Sequence, residues 1–462
     1  MPTTTSAPVE GPLGRTYLEV TLAVRALVTI VAFEAMAVST AMPTVARDLD
    51  AVRSYGFAFS VMLTAQLLGI VLAGVWSDRS GPMVGAVTGQ ALLAAGAATC
   101  GFANDLPVFL VGRALTGLGG GLLVVMLYVI AGRVYPEAIR PRLFTYVSAA
   151  WVLPSLLGAP ISAWLTVNLS WRWVFWGVVP PVLITMAALA HARRRIGDDS
   201  HLTAAVGNRD HRAHVRAAWA GLGIALSAGA LQLGTFELVL QVSPRTAVAV
   251  AGLVGVIVFA PKLVPPGTWR MARGLPSVML ARALFIGAFY AGITYVPLFL
   301  VGQRGQTLQV AGLSLAVGAI GWAGGAWYQG HDHLHLPRYR LVEVGAVLLT
   351  SGLAVLSAVA WLGLAWWLVP AALVVTGVAM GLGVTTTTVL ALELSPVEEH
   401  GEASSSLQLA DVLGSVLGIA AATAVFAARH VPGQDDALFG AIFLGLAVVA
   451  AVAVPTGQRI RT

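Results

Sequence analysis

Long apolar stretches recur along this chain of 462 residues, and short clusters of charged and turn-forming residues separate them. A helix needs about 20 residues to cross the roughly 30 Å hydrocarbon core of a bilayer. The composition agrees, because 57% of the residues are hydrophobic and only 10% are charged, against roughly a quarter charged in soluble domains. A barrel would show shorter, alternating segments. The sequence therefore predicts an all-α integral membrane protein.

The apolar stretches predict two bundles of six transmembrane helices with an extra pair of helices between them. The helices are expected at about 17–43, 55–77, 83–103, 105–131, 143–167 and 172–192, then 217–241 and 245–264, then 276–302, 310–329, 340–362, 366–392, 404–428 and 437–456. Fourteen spans are the first interpretation. Twelve are the alternative, since the central pair could lie partly in the membrane interface.

The same boundaries divide the chain into regions. We expect an N-terminal tail at 1–16, a first six-helix bundle at 17–192, a linker at 193–216, the central pair at 217–264, a second bundle at 276–456 and a C-terminal tail at 457–462. A loose repeat supports two parallel halves, because Arg25-Ala26-Leu27 and Arg282-Ala283-Leu284 occupy similar places in the first helix of each bundle.

Arginines lie mainly in alternate loops, with a cluster at Arg193-Arg194-Arg195. Positive loops stay in the cytoplasm, so both tails and the linker are predicted to be cytoplasmic, in the plasma (inner) membrane. The net charge of +6 is then a consequence of topology, and nucleic acid is not an expected partner. No cleavable signal peptide is evident, because residues 1–14 lack a basic start and the first apolar stretch follows directly with no convincing cleavage site.

Arg113 lies inside an otherwise apolar predicted span, where a guanidinium needs a counter-charge, carbonyl groups or water. Glu34 lies at a matching depth, roughly 12–14 Å below the predicted external end of its helix. The two are predicted to pair, and Gly117, Gly120 and Gly121 on the same face of the helix would let a neighbouring helix approach closely. Glu34 is expected to exchange protons during transport while Arg113 stays charged; the alternative is a permanent structural ion pair.

A second carboxylate, Asp411, lies in a polar stripe of one predicted helix, together with Ser404, Gln408 and Ser415. Arg282 is its expected partner, since both lie about two turns from the cytoplasmic side. Asp411 is assigned to proton coupling and Arg282 to gating, with a structural salt bridge as the alternative. Thr385 to Thr388 could line the transport path or hydrogen-bond within their own helix.

The sequence gives no sign of an enzyme or a cofactor. Cys100 is the only cysteine, and the histidines of His331-Asp332-His333-Leu334-His335 are expected in a solvated loop, so no metal site is predicted. No GxxxxGK[ST] phosphate-binding loop is present, which argues against ATP hydrolysis.

Five motifs, in order along the chain, resemble those of the major facilitator superfamily, and in particular its fourteen-helix drug:proton antiporter branch. Gly74-Val75-Trp76-Ser77-Asp78-Arg79-Ser80-Gly81 is similar to the GxxxDRxG loop. Glu34 precedes Ala41-Met42-Pro43 at the spacing of the first-helix acidic residue, and Arg113 with Gly117 resembles the fourth-helix RxxxG motif. The stretch from Pro154 through Gly158 to Pro160 resembles the antiporter motif, and Ser170-Trp171-Arg172-Trp173-Val174-Phe175 resembles WRWxF.

The resemblance implies two six-helix bundles that expose a central cavity alternately to each side of the membrane. It implies a gating network at Gly74, Asp78, Arg79 and Gly81, and proton coupling at Glu34 and Arg113. We therefore expect a monomeric, proton-coupled exporter of small hydrophobic or cationic molecules, in contact with membrane lipids. A lipid or metabolite exporter of the same fold, and a membrane receptor or assembly partner that does not transport, stay open as alternatives.

Overall fold

The computed structural model describes residues 11–14, 17–136, 139–196, 211–235, 244–262, 264–330, 336–396 and 400–461. Within these ranges every regular element is helical, in agreement with the predicted fold class. The first half contains α1 Leu18–Asp48, α2 Tyr55–Ser80, α3 Pro82–Phe102, α4 Leu106–Val134, α5 Arg140–Asn168, α6 Arg172–Trp176 and α7 Val179–Ile196. Then come α8 His211–Thr235 and α9 Pro244–Phe259. The second half contains α10 Leu275–Gly302, α11 Leu308–Gln329, α12 Arg338–Trp361, α13 Leu368–Glu393, α14 His400–Arg429, α15 Asp436–Ala451 and α16 Val454–Ile460.

The two halves pack their helices in the same pattern. In the first half α1 packs on α5, α4 packs on both α2 and α3, and α3 packs on α7. In the second half α10 packs on α14, α13 packs on both α11 and α12, and α12 packs on α15. The faint sequence repeat thus corresponds to a repeated three-dimensional arrangement.

Twelve helical segments in the described residues are long and apolar enough to cross a membrane. They include Arg172–His191, which runs from α6 into α7, and Asp436–Ile460, which joins α15 and α16. The apolar parts of α8 and α9 are shorter, at Trp219–Leu231 and Ala247–Lys262. The count therefore agrees with the twelve-span alternative and not with fourteen, although the central pair is helical as expected.

The central pair forms a hairpin that lies against both halves. Small residues let α8 and α9 approach closely, because a Cβ on Gly234 or Gly252 would overlap the backbone of the other helix. The outer face of α8 packs on α2 of the first half and α14 of the second. A hydrophobic cluster joins them through Leu67, Ile224 and Val412. Residues 197–210 and 236–243, which include most of the expected linker, lie outside the described residues.

Prolines account for the main differences from the expected helix ends. The first helix was expected to end at Pro43 but continues to Asp48, because one proline inside a helix removes a single hydrogen-bond donor and the later turns can form. The expected single helix at 172–192 is interrupted between Trp176 and Val179, just before Pro180 and Pro181. Prolines lack the N–H donor that helix interiors need, so they favour the first turn of a new helix.

The conformation is closed at one end. We call the end of the molecule that carries the α1–α2 connection (49–54) the upper face, and the end that carries Gly81 the lower face. The larger of the two hydrophobic clusters that contain residues of both halves has its first-half members at 37–59, 100–109 and 171–175, all towards the upper face. A separate cluster in the first half, extending to the lower face, contains first-half residues alone. The two halves are therefore most closely packed towards the upper face.

Candidate functional site: two buried ion pairs and the contact between the halves

Glu34 of α1 and Arg113 of α4 form a buried ion pair in the first half. Arg113 Nη1 donates to Glu34 Oε1 at 2.5 Å, and each side chain is only 2% exposed. Arg113 Nε also donates to the carbonyl oxygen of Ala58 at 3.4 Å, and Nη2 lies 2.8 Å from Met62 Sδ. The predicted contact between Glu34 and Arg113 is thus present; their role in proton coupling stays a prediction. The two α2 contacts were not identified in the sequence, because neither residue carries a charge.

Glycines allow α2 and α4 to approach closely around this pair. A Cβ on Gly117 would overlap the backbone of Met62, and a Cβ on Gly121 would overlap the backbone of Gln66. Gly117 and Gly121 therefore both lie where α4 and α2 approach each other closely. Gly120 was expected on the same contact but has no neighbouring atom within 4 Å of a built Cβ. Because 3.6 residues make a turn, Gly120 is rotated about 60° away from Gly117.

A second glycine contact, between α3 and α4, was not predicted from the sequence. A Cβ on Gly112 would lie 2.6 Å from Cys100 Sγ, and one on Gly119 would lie 2.6 Å from the carbonyl oxygen of Gly89. Arg113 is therefore held on a helix that is tightly packed on two sides. Such packing resists movement of the guanidinium relative to Glu34.

Arg282 of α10 and Asp411 of α14 form the second ion pair. Arg282 Nε lies 2.5 Å from Asp411 Oδ1, and Nη2 donates to Oδ2 at 2.8 Å, so the contact is bidentate. The side chains are 10% and 20% exposed, which is more than in the first pair. The predicted partners are therefore in contact, and the bidentate geometry is the strong form of an arginine–carboxylate contact. Their assignment to coupling and gating is untested by the structure.

The threonine stretch of α13 supports Arg282. Arg282 Nη1 donates to the carbonyl oxygen of Val384 at 2.6 Å and to Thr388 Oγ1 at 3.0 Å. The Thr387 and Thr388 hydroxyls also donate to the Val384 carbonyl oxygen within their own helix. The threonines therefore hydrogen-bond within their own helix, and Thr388 also contacts Arg282, which is a candidate gating residue. The Thr386 hydroxyl is fully buried and has no hydrogen-bond partner.

The proline and glycine positions of α5 pack it on α1. Pro154 and Pro160 both lie inside the helix. Pro154 cannot donate to Ala150, and the free carbonyl oxygen of Ala150 accepts a bond from Thr29 Oγ1 at 3.4 Å. A Cβ on Gly158 would lie 3.1 Å from Met36 Cβ. The antiporter-like motif therefore shapes the contact of α5 with the helix that carries Glu34.

The stretch from Gly74 to Gly81 is less of a loop than expected. Helix α2 continues through Asp78 and Arg79 to Ser80, and α3 begins at Pro82. Gly81 is the single connecting residue and has a φ of 76°, a conformation that glycine adopts without strain. The expected gating role of Gly74, Asp78, Arg79 and Gly81 stays a prediction.

The two halves meet near the upper face at a cluster of buried side chains. The rings of Tyr55 on α2 and Tyr295 on α10 are 5.7 Å apart. The Tyr295 hydroxyl donates to Thr423 Oγ1 of α14 at 3.3 Å. Gly56 lies against both oxygens, and a Cβ at this position would overlap them. We call Tyr55, Gly56, Tyr295 and Thr423 the upper contact. No feature of the sequence singled it out.

A cavity of about 470 Å³ lies beside the upper contact. Its lining residues come from both halves and include Asp50, Arg53, Leu298, Phe426 and His430. The Phe426 ring is 5.3 Å from that of Tyr295, so the cavity is adjacent to the contact between the halves.

Among the described residues no group of three or more candidate ligands could hold a metal ion. The histidines at 331–335 lie outside the described residues.

In the part of the chain that the structure describes, twelve helices are long and apolar enough to cross a membrane, and they form two halves of matching packing with an ion pair inside each half, as expected of a multi-pass membrane protein. A family model described as the Major Facilitator Superfamily matches residues 26–419. The chain belongs to the major facilitator superfamily, as its motifs indicate.

Known proteins similar to this chain include several bacterial transporters. Multidrug transporter protein MdtP of Bacillus subtilis is 24% identical over 419 residues, which cover 88% of this chain and 76% of MdtP. An uncharacterized MFS-type transporter of Mycobacterium tuberculosis is 27% identical over 442 residues. That match covers 90% of this chain but 60% of the relative, so the chain spans about three-fifths of the mycobacterial protein's length.

Solved structures share the fold at low identity. A peptide transporter of the POT family in complex with sulfate matches with a TM-score of 0.69 at 15% identity, covering 95% of this chain and 94% of the other. A D-xylose-proton symporter matches with a TM-score of 0.62 at 15% identity, covering 96% and 98%. These likenesses support the fold class and carry no information on substrate.

Proposed function

We propose that this transporter exports small hydrophobic or cationic molecules in exchange for protons, through alternating access of its two halves. The observation that carries the proposal is the buried ion pair of Glu34 and Arg113. Burial of two charges is costly unless they stay paired, so a change in the charge of either group must change the stability of this conformation. Of the two, only the carboxylate can change its charge, because a guanidinium keeps its proton.

In the proposed cycle the upper face is the external face, as the loop arginines indicate. The conformation described here, closed at the upper face, corresponds to the inward-facing state. In the outward-facing state an external proton binds Glu34 and weakens its attraction to Arg113. In the inward-facing state the positive charge of Arg113 favours proton release, and the ion pair forms again.

The second ion pair is proposed to respond to the substrate. Arg282 and Asp411 are more exposed than the first pair, so a cationic substrate or a proton that enters between the two halves can compete with Arg282 for Asp411. If Arg282 separated from Asp411, its hydrogen bonds to Val384 and Thr388 of α13 could also break. This gives Asp411 a coupling role and Arg282 a gating role within the second half.

The names of relatives support the direction of transport. Proteins similar to this chain include a multidrug transporter of Bacillus subtilis and, over 159 residues at 24% identity, a multidrug efflux pump of Staphylococcus aureus. Efflux from the cytoplasm fits a plasma membrane location with both termini cytoplasmic. We propose that the protein acts as a monomer.

The test is transport by the purified full chain in proteoliposomes with an imposed pH gradient, using a fluorescent organic cation and a fluorescent phospholipid as probes. We expect gradient-dependent movement of the cation and its loss in Glu34→Gln. The matched control is Glu393→Gln, which changes a half-exposed carboxylate paired with Arg338 and should leave transport intact. Movement of the lipid alone would indicate a lipid exporter, and equal transport by Glu34→Gln would refute the coupling role.

A further inference from the structure

The upper contact differs from the glycine contacts of α4 with α2 and α3, because it joins the two halves. At Gly117 and Gly121 the neighbouring backbone belongs to the same half. At Gly56 of α2 the two nearest atoms are oxygens of Thr423 and Tyr295, both in the second half. The space that a methyl group would need is therefore occupied only while the halves are closed at the upper face.

The chemistry of the upper contact also suits a closed barrier. Tyr55, Tyr295 and Thr423 are 1%, 0% and 3% exposed, so water is excluded. The hydroxyl groups of the second half are bonded to each other and to the carbonyl oxygen of Ile419. A methyl group on Gly56 would thus require Tyr295 or Thr423, which a hydrogen bond between α10 and α14 holds in place, to shift.

The cavity at the upper face supplies a route from solvent to this barrier. Phe426 lines that cavity and contacts the Tyr295 ring. One turn further along α2, Ser60 is fully buried on the same side of the helix as Gly56, and its hydroxyl has no hydrogen-bond partner. Separation of the halves at Gly56 would therefore connect Ser60 with the cavity and with external water.

We propose that Gly56 is a positioning residue for transport: its missing side chain allows Tyr295 and Thr423 to close the external face. The inference rests on the alternating-access cycle proposed above. A methyl group at Gly56 would remain compatible with the outward-facing state and would oppose the closed one. Overpacking by one methyl group shifts such an equilibrium by about 5- to 150-fold.

The experiment measures access to a reporter cysteine and needs neither substrate nor gradient. The full-length chain carries Cys100→Ala and Ser60→Cys and is labelled with a membrane-impermeant maleimide in right-side-out and in inverted vesicles. We expect Gly56→Ala to raise the labelling rate from the external side by about 5- to 150-fold, with no rise from the cytoplasmic side. Gly302→Ala is the matched control, because nothing lies within 4 Å of a Cβ at this position near the same face.

A background in which a methyl group at Gly56 meets no oxygen atoms distinguishes an effect on gating from an effect on folding. Tyr295→Phe combined with Thr423→Ala removes the two oxygens that the new methyl group would meet, and leaves Thr423 Cβ at 3.0 Å. In this background Gly56→Ala should change the labelling rate much less than in the parent. Should Gly56→Ala alone fail to fold, Tyr295→Ala provides the second test, since loss of the ring contact should also raise external labelling.

Unchanged external labelling in folded Gly56→Ala, or a rise from the cytoplasmic side only, would overturn the inference. Equal rises in the parent and in the relieved background would also overturn it, because the overlap would then not be the cause. Failure of the transport proposal has a different signature: the labelling pattern would be as expected while no probe moved under a pH gradient.

Discussion

Removal of one charge from the Glu34 and Arg113 pair should destabilise the protein more than removal of both. The pair is 2% exposed on each side with its charged atoms 2.5 Å apart. A lone buried charge costs about 3–5 kcal/mol, whereas replacement of a whole pair is often neutral or stabilising. At about 2–4 °C per kcal/mol for a domain of roughly 150–250 residues, which is the size of one half of this protein, Glu34→Gln should lower the Tm by roughly 6–20 °C.

The two single variants should also differ from each other. In Glu34→Gln the guanidinium of Arg113 keeps its charge and has no counter-ion. In Arg113→Gln the Glu34 carboxylate can take up a proton and become neutral, so the loss of stability should be smaller. The double variant Glu34→Gln/Arg113→Gln should be more stable than Glu34→Gln.

The assay is thermal unfolding of the purified full chain in one detergent at one pH. Glu393→Gln serves as the control, because its ion pair with Arg338 is 44–50% exposed and such pairs contribute about 0–1 kcal/mol. The reasoning would be refuted if the Tm losses of the two single variants added up in the double variant. It would also be refuted if Glu34→Gln changed the Tm no more than the control does.

Further outcomes follow from the second pair, the glycine contact and the cysteine. Asp411→Asn should lower the Tm by less than Glu34→Gln, because water can partly solvate Arg282; an equal or larger loss in the same thermal assay would contradict this. Gly117→Ala should destabilise by about 1–3 kcal/mol through overlap with α2, whereas Gly120→Ala, which meets open space, should be neutral or stabilising by up to about 1 kcal/mol. Cys100 is fully buried, so it should react with maleimide only as the protein unfolds, and fast labelling of the native protein would disprove its burial.

The sequence predicted the charged pairs well because charge inside a membrane leaves few choices. Arg113 required a partner, and Glu34 was the acidic residue at a matching depth in the same bundle. The same reasoning paired Arg282 with Asp411. Helix depth follows from counting residues, so a one-dimensional pattern was sufficient to place both contacts.

Other parts of the site could not be predicted because they depend on which helices touch. The upper contact consists of Tyr55, Gly56, Tyr295 and Thr423, and in sequence these resemble many other tyrosines, glycines and threonines. Gly120 was assigned to a contact that the rotation of α4 excludes. The central pair looked long enough to span, yet its apolar segments are shorter than those of the other helices.

The position of α8 has a mechanical consequence. This helix contacts α2 of one half and α14 of the other, and a Cβ on Gly221 would overlap the side chain of Val71. Any relative rotation of the two halves must therefore slide at least one of these surfaces along α8. The segment that connects the halves along the chain thus opposes their relative motion on one side of the protein. On the opposite side, formed by α5 and α11, no described helix from outside the two halves contacts both of them.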